Sequence, residues 1–439
     1  MARFPKLTSL TLKGKPPSFR SNYYIYVRPD LVDYDCSVQP WIETVVCSGV
    51  KNFEELRLKR IQTSGAASCL DPLVSNCRCP YIKSLRLNGS ITADKLRRIL
   101  VKAPQLVDLG MGYLIGTGPL LDICNALYGA LGKCTSIRSL SLGIIDLGSC
   151  LLPAVYPICH NLTSLKLSPC LISADFNRLI RRCIKLECLW VQGTFITDEE
   201  LRVLASTCKE LQELRIIDSP VRRNLHITEQ GFTLHNSWEC IGKRVEDVMA
   251  MQPLDEGFGA IVRLCKGLKL LRLCGRLTDQ VFLHIGKYAK HLEVLTVNLI
   301  KVTTLGPRNR TFLDFQVPHF AGDSEKGILY VLNGCKKLKE LDIRNSSFGN
   351  ATLLEDVRKY EWMQCLYIEN CQMNFGACKQ LAHEMPSLNV EIIRKKTMRP
   401  PGNNTVIINP GDNDKINKMY LYRTLVVPRK DAPDYVLTL

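Results

Sequence analysis

Cys159-His-Asn-Leu162-Thr-Ser-Leu165-Lys-Leu167 decides how this chain folds, because the phrase returns. It recurs as Cys183-Ile-Lys-Leu186-Glu-Cys-Leu189-Trp-Val191 and as Cys208-Lys-Glu-Leu211-Gln-Glu-Leu214-Arg-Ile216. Further copies open at Cys265 and Cys335, and the copy at Cys134 carries Ile137 in its first apolar slot. Weaker copies without the cysteine centre on Leu10, Leu56, Leu85, Leu109, Leu295 and Leu366, with a last turn near Glu391. Leu140 to Leu165 spans 25 residues, Leu165 to Leu189 spans 24, and Leu189 to Leu214 spans 25. That period lies inside the leucine-rich-repeat range of about 20–29 residues.

Leu-x-Leu puts two side chains on one face of a short strand. The stretch between phrases reads as a helix. In Ile196–Cys208, Thr197 or Asp198 can cap it, Glu200 follows near the third helical position, and Leu201, Leu204 and Ala205 form one apolar stripe. No single repeat can bury its apolar face, so neighbours must stack into a continuous core. The expected fold is therefore an α/β leucine-rich-repeat solenoid, a horseshoe with a parallel inner sheet and outer helices, over residues 1–393. Three intervals break the period. Residues 17–46 read as an excursion loop bearing Tyr23, Tyr24, Tyr26 and Tyr34. Leu214 to Leu271 holds about one degenerate repeat and a loop, and residues 298–319 read as an atypical insertion. Residues 394–439 open as a basic, Pro/Gly-rich linker, and their apolar end should fold back as a C-terminal cap.

Composition bounds the function. The 439 residues are 46% hydrophobic and 23% charged, which is ordinary globular usage. No apolar run reaches membrane-spanning length, so no membrane partner is expected. The N-terminus has no apolar leader, so a reducing compartment is expected and the 20 cysteines should be thiols. The Asn-x-Ser/Thr sequons then carry no glycosylation meaning. The net charge of +16 calls for acidic partners.

No catalytic signature is found, so the chain reads as a non-enzyme. Gly110-Met-Gly112-Tyr-Leu-Ile-Gly116 has one residue too many for a dinucleotide loop and sits inside the repeats. Cys77-Arg-Cys79 has no second pair at zinc spacing, so no metal is expected. Lys13, Arg57, Lys59, Arg60, Arg86, Lys166, Arg215, Arg272 and Arg344 flank the strand leucines and would line the inner face with positive charge. Polyphosphate or an acidic peptide suits such a face. Nucleic acid has no fold motif to support it.

Longer strings add a resemblance. They include Arg3–Pro16 (RFPKLTSLTLKGKP), Glu54–Arg60 (EELRLKR), Lys102–Gly110 (KAPQLVDLG), Leu152–Cys159 (LPAVYPIC) and Leu204–Arg215 (LASTCKELQELR). Thr228–Gly231 (TEQG), Pro253–Val262 (PLDEGFGAIV), Phe320–Gly327 (FAGDSEKG), Asn374–Glu391 (NFGACKQLAHEMPSLNVE) and Tyr422–Thr424 (YRT) continue the series. Together they resemble the auxin-receptor F-box leucine-rich-repeat family, the transport inhibitor response group, along nearly the whole chain.

The resemblance implies a substrate-recognition subunit of a Skp1–cullin–F-box ubiquitin ligase, acting in the nucleus or the cytoplasm. In it, auxin glues the degron of an Aux/IAA repressor to a pocket above inositol hexakisphosphate. By the same resemblance Lys13, Lys59, Arg60, Arg215 and Lys339 keep the basic residues of the polyphosphate floor. Pro17, Val221 and Arg272 replace a pocket His, a pocket Phe and a hydroxyl residue near the hormone. Leu270 and Gln364 replace basic residues. The chain looks short by about two repeats after Gln62 and one between Gly231 and Met251. No F-box is found ahead of the repeat that opens at Arg3, so docking to Skp1 and cullin has no visible basis on this reading. The alternative expectation is a degenerate, truncated paralogue acting only as a protein-interaction scaffold, without hormone or Skp1 binding.

Overall fold

The structure, a computed structural model, describes residues 7–13, 42, 53–59, 70, 73, 81–87, 90–115, 119–143, 152–167, 173–192, 196–217, 226–228, 231–233, 253–275, 277–299, 324–369, 371–395 and 416–421. Its strands are β1 (Ser9–Lys13), β2 (Glu55–Lys59), β3 (Ser84–Leu87), β4 (Ser90–Thr92), β5 (Asp108–Met111), β6 (Tyr113–Ile115), β7 (Ser139–Leu142), β8 (Ser164–Leu167) and β9 (Cys188–Gln192). They continue with β10 (Glu213–Ile217), β11 (His226–Thr228), β12 (Gly231–Thr233), β13 (Leu270–Gly275), β14 (Val294–Leu299), β15 (Glu340–Arg344), β16 (Cys365–Glu369), β17 (Asn389–Lys395) and β18 (Ile416–Leu421). The chain divides into two compact units: Met1–Ile196 with Ser206–Glu210 and Asp218–Val245, and Thr197–Ala205 with Leu211–Ile217 and Glu246–Leu439.

In the first unit, β1, β2, β3, β5, β7, β8 and β9 pair in that order, all parallel. The register stacks leucine on leucine: Leu10, Leu56, Leu85, Leu109, Leu140, Leu165 and Leu189 form one row. From Leu56 onward these side chains are essentially solvent-free. The residue before each of them from β3 to β9 is half-buried and faces the other way, as the period of two requires. At each strand start one carbonyl accepts two successive N–H groups of the next repeat. Lys83 does so for Val107 and Asp108 (2.7 and 3.0 Å), and Arg138 for Thr163 and Ser164 (2.8 and 3.0 Å). These paired bonds hold the register against slippage.

In the second unit, β10, β13, β14, β15, β16 and β17 repeat the arrangement, with Leu214, Leu271, Leu295, Leu341, Leu366 and Val390 in one row. The central leucines named from the sequence are the ones that stack, and the α/β leucine-rich-repeat reading holds. β18 closes this sheet as an antiparallel edge on β17. Two boundaries need correction. Asn298 and Leu299, taken from sequence as the start of an insertion, are the last residues of β14. Asn298 pairs with Cys274 and Arg344, and its Oδ1 accepts a hydrogen bond from Asn345 Nδ2 (2.8 Å). Arg394 and Lys395, taken as linker, end β17. The rest of the insertion and nearly all of 17–46 lie outside the described residues.

The helices are α1 (Ala93–Lys102), α2 (Leu120–Gly132), α3 (Leu152–Cys159), α4 (Ser173–Ile180), α5 (Asp198–Thr207), α6 (Asp255–Leu264), α7 (Asp279–Tyr288), α8 (Gly327–Gly334), α9 (Asn350–Leu354) and α10 (Phe375–Glu384). None among the described residues is long and apolar enough to cross a membrane. At α5, Glu200 Oε2 accepts the Thr197 N–H (2.6 Å) while Thr197 Oγ1 accepts the Glu200 N–H (3.3 Å), a reciprocal capping box.

Aspartates then lock helix to helix along the second unit. Asp198 accepts from the Gly257 N–H (2.6 Å), Asp255 from Thr278 N–H and Oγ (2.8 and 2.7 Å), and Asp279 from the Ser324 N–H (2.9 Å). The repeat cysteines end helices. Cys134, Cys159 and Cys183 each point a thiol at the carbonyl four residues upstream, at 3.3–3.5 Å. Each is a small apolar filler whose weak donor meets a carbonyl left open at a helix end. Burial pushes the thiols of Cys134 and Cys335 up to about 11 and that of Cys265 up to about 12. Cys183 is raised too, first by its hydrogen bond with Cys159 and then by burial.

α7 and α8 touch backbone to backbone. A Cβ on Gly286 would lie 2.0 Å from the Tyr330 carbonyl oxygen, and one on Gly334 would lie 1.9 Å from the Gly286 oxygen. Lys290 Nζ donates to the carbonyls of both glycines (2.6 and 3.1 Å). Gly286→Ala is therefore expected to cost at least about 2–3 kcal/mol, the upper range for overpacking, because a helix backbone cannot yield. Gly129→Ala on α2 meets nothing within 4 Å and should stabilise by about 0.5–1 kcal/mol. Thermal unfolding of both variants checks the contrast. Iodoacetamide at pH 8, read by mass spectrometry, should leave Cys134, Cys183, Cys265 and Cys335 unmodified until denaturant is added; rapid native labelling would contradict their burial and raised pKa values.

Candidate functional site

The sheet face opposite the leucine rows carries the strand cations. In the second unit the register aligns Arg215, Arg272, Thr296, Asp342, Tyr367 and Glu391 across neighbouring strands. A parallel row, two residues further along the strands, aligns Cys274, Asn298, Arg344 and Glu369. In the first unit Arg57 and Arg86 are neighbours in register, as are Lys13 and Lys59.

Most of these cations already have an acid. On a strand, residues i and i+2 share a face. Glu55-Leu-Arg57, Glu213-Leu-Arg215 and Asp342-Ile-Arg344 each place a carboxylate beside its guanidinium. Arg344 adds Glu369 of the next strand at 3.3 Å. Arg86 lacks an acid two residues upstream and takes one from β5: Asp108 accepts from its Nε (2.5 Å) and Nη2 (2.9 Å), with Ser84 donating at 2.8 Å. Burial raises the Asp108 carboxyl, but the hydrogen bonds from Arg86, Ser139 and Ser84 outweigh it and hold the group below the usual aspartate range.

Arg272 is different. Leu270 occupies the position where its neighbours carry an acid. Its Nε is buried without a hydrogen-bond partner among the described residues. Burial, and then the nearby charge of Arg215, push its guanidinium below the usual arginine value, with Asp342 opposing. A half-buried cation beside a second cation is short of negative charge, and an anionic group laid on the face would supply it. Thr296, next in register, adds a hydroxyl to this row.

The sequence-predicted residues thus divide. Arg215 and Arg272 come together in the second unit. Lys13, exposed, lies beside Lys59 in the first. Lys339 precedes β15 and pairs with Glu293 (2.7 Å), three residues upstream of the Asp342 that aligns with Arg272's row. Arg60, Pro17, Val221 and the Cys77–Cys79 pair lie outside the described residues. The acid partners Glu213, Asp342 and Glu369 were missed, although an acid two positions before a strand arginine is visible in the sequence. Among the described residues no cluster of three His, Cys, Asp or Glu could hold a metal ion.

No protein-family model matches the chain. A transport inhibitor response 1-like protein of Oryza sativa subsp. japonica is 37% identical over 402 residues, covering 82% of this chain and 65% of the relative. Another protein so named, from the same source, is 34% identical over 434 residues, covering 91% of this chain and 68% of the relative. GRR1-like protein 1 of Arabidopsis thaliana is 35% identical over 411 residues, covering 85% and 64%. The chain spans about two thirds of the length of these curated relatives. With repeats, register and relatives in agreement, the chain belongs to the transport inhibitor response 1-like family of F-box leucine-rich-repeat proteins.

Proposed function

We propose that this chain is the recognition part of an auxin-dependent substrate receptor, binding the degron of an Aux/IAA-type repressor with auxin as the glue. The observation that carries this reading is Arg272, a half-buried cation that forms no ion pair among the described residues and whose neighbour in register is Arg215. A carboxylate complements a guanidinium that lacks an acid, through charge-assisted hydrogen bonds. On this reading Arg272 takes the hormone's carboxylate itself, in place of the hydroxyl residue the family carries there. Inositol hexakisphosphate belongs to the same reading, with Arg215 and Lys339 of the second unit among the residues that would contact it. Nuclear action and assembly with Skp1 and cullin belong to the same reading, which gives the chain no catalytic step. The names of the relatives and their similarity along most of the chain support it.

The test is binding of a fluorescent Aux/IAA degron peptide to the purified chain, with inositol hexakisphosphate present, with and without auxin. Auxin-dependent binding is expected. Arg272→Gln, which keeps much of the side chain's bulk and removes the charge, should weaken it about 10- to 100-fold, the equivalent of about 1.5–3 kcal/mol for a charge-assisted hydrogen bond. A folded chain that binds no degron in either condition would instead be the protein-interaction scaffold. Degron binding unchanged by Arg272→Gln would remove this residue from the hormone site.

A further inference from the structure

In the first unit the strand cation Lys166 also stands without a carboxylate among the described residues. Lys166 on β8 has Ser164 two residues upstream, where the paired arginines have an acid. Its Nζ rests over the ring of Trp190 on β9, 3.7 Å from the ring centre. It forms no ion pair among the described residues.

The register sets what lies beside it. Arg86, Gly110, Ser141, Lys166 and Trp190 occupy one row across β3, β5, β7, β8 and β9. Gly110 has no side chain, and the stem of Arg86 crosses that spot: a Cβ there would meet Arg86 Cγ at 3.3 Å. The Arg86 head is fixed on β5 by the two bonds to Asp108. Arg86 therefore leans from β3 across β5 toward β7, which offers only the short Ser141. With strands about 4.8 Å apart, the gap from β5 to β8 is about 10 Å. That gap is floored by Ser141, walled by Arg86 on one side and by Lys166 and Trp190 on the other. Burial first, and then the charge of Arg86, pull the Lys166 amine below the usual lysine value, so the two cations act on one another across it.

The donor set selects the ligand. A planar carboxylate is best held by the Nε–Nη2 fork of an arginine, and in Arg86 that fork is taken by Asp108. What remains are single donors from separate strands: Arg86 Nη1, the Ser141 hydroxyl and the Lys166 ammonium, the last a point charge suited to phosphate. We infer that the gap over Ser141, between Arg86 and the Lys166–Trp190 pair, is a binding site for one tetrahedral phosphate group, either free or carried on a peptide side chain. The site is independent of the Arg272 reading, since all of its residues belong to the first unit.

The test uses the full chain, with inorganic phosphate and a phosphoserine peptide as probes, and acetate and the unphosphorylated peptide as controls. Tryptophan fluorescence and calorimetry report binding. Phosphate entering the gap should draw the ammonium off the indole and change the Trp190 emission, and a Trp190→Phe chain should lose that change. Lys166→Met and Arg86→Gln should each weaken phosphate binding at least tenfold, while Arg272→Gln leaves it unaltered. Lys166→Gln is the second variant should Lys166→Met alter the fold, as circular dichroism would reveal. Binding of both probes indicates a site open to free phosphate. Binding of the phosphopeptide alone indicates a site read in the context of a chain. The inference is overturned if wild type binds neither probe, if acetate competes equally, or if Lys166→Met and Lys166→Gln bind as wild type does.

Discussion

The parallel register is the constraint on which everything else depends. Each central leucine sits on the central leucine of the repeat before it, from Leu56 to Leu189 in one unit and from Leu214 to Leu366 in the other. A slip of one residue would turn the whole row outward, so the buried leucines fix the register far more strongly than the backbone bonds alone. Once it is fixed, the intervening residues also fall into rows. Arg215 meets Arg272, and Arg86 meets Gly110, because the leucines between them require it.

This ordering changes what the net charge means. A total of +16 suggests a broadly positive surface. The register instead gives most strand arginines a carboxylate at hydrogen-bond distance, on their own strand or the next. Exposed pairs of this kind add little stability, about 0–1 kcal/mol each. Their larger effect is on the charge: each carboxylate offsets the arginine it touches, so the face is less positive than the number of its cations suggests. Arg272 and Lys166, whose local sequence lacks the acid, are among the cations left over. Selectivity on such a surface comes from the few charges left unpaired rather than from the sum of all charges.

The fold was legible because its signal is repeated. The Cys-x-x-Leu-x-x-Leu-x-Leu phrase, its 24–25-residue period and the Thr197–Glu200 capping pattern are all local, and local patterns survive into structure. The face was only half legible. Glu213 before Arg215 could be read from spacing, but Asp108 holding Arg86 could not, since 22 residues separate them and only the sheet brings them together. The end of β14 was misjudged for the same reason. Asn298 and Leu299 look like loop in isolation and are strand because Cys274, Gly275 and Arg344 pair with them. The close approach of Gly286 and Gly334 is likewise a long-range fact, set by how two helices meet.

Arg272 and Lys166 show why one kind of vacancy gives two kinds of site. Both lack the upstream acid, yet their surroundings differ. Arg272 stands beside a second guanidinium and has no acid partner among the described residues, so a planar carboxylate laid on this face suits its planar guanidinium. Lys166 is a point charge, and Arg86, the guanidinium on the far side of its gap, is already clamped edge-on by Asp108. Only single donors are left, on three strands, and their natural complement is an anion with oxygens pointing in several directions. The carboxylate that would have neutralised each cation is absent from the sequence, and the geometry of what remains decides which external anion can replace it.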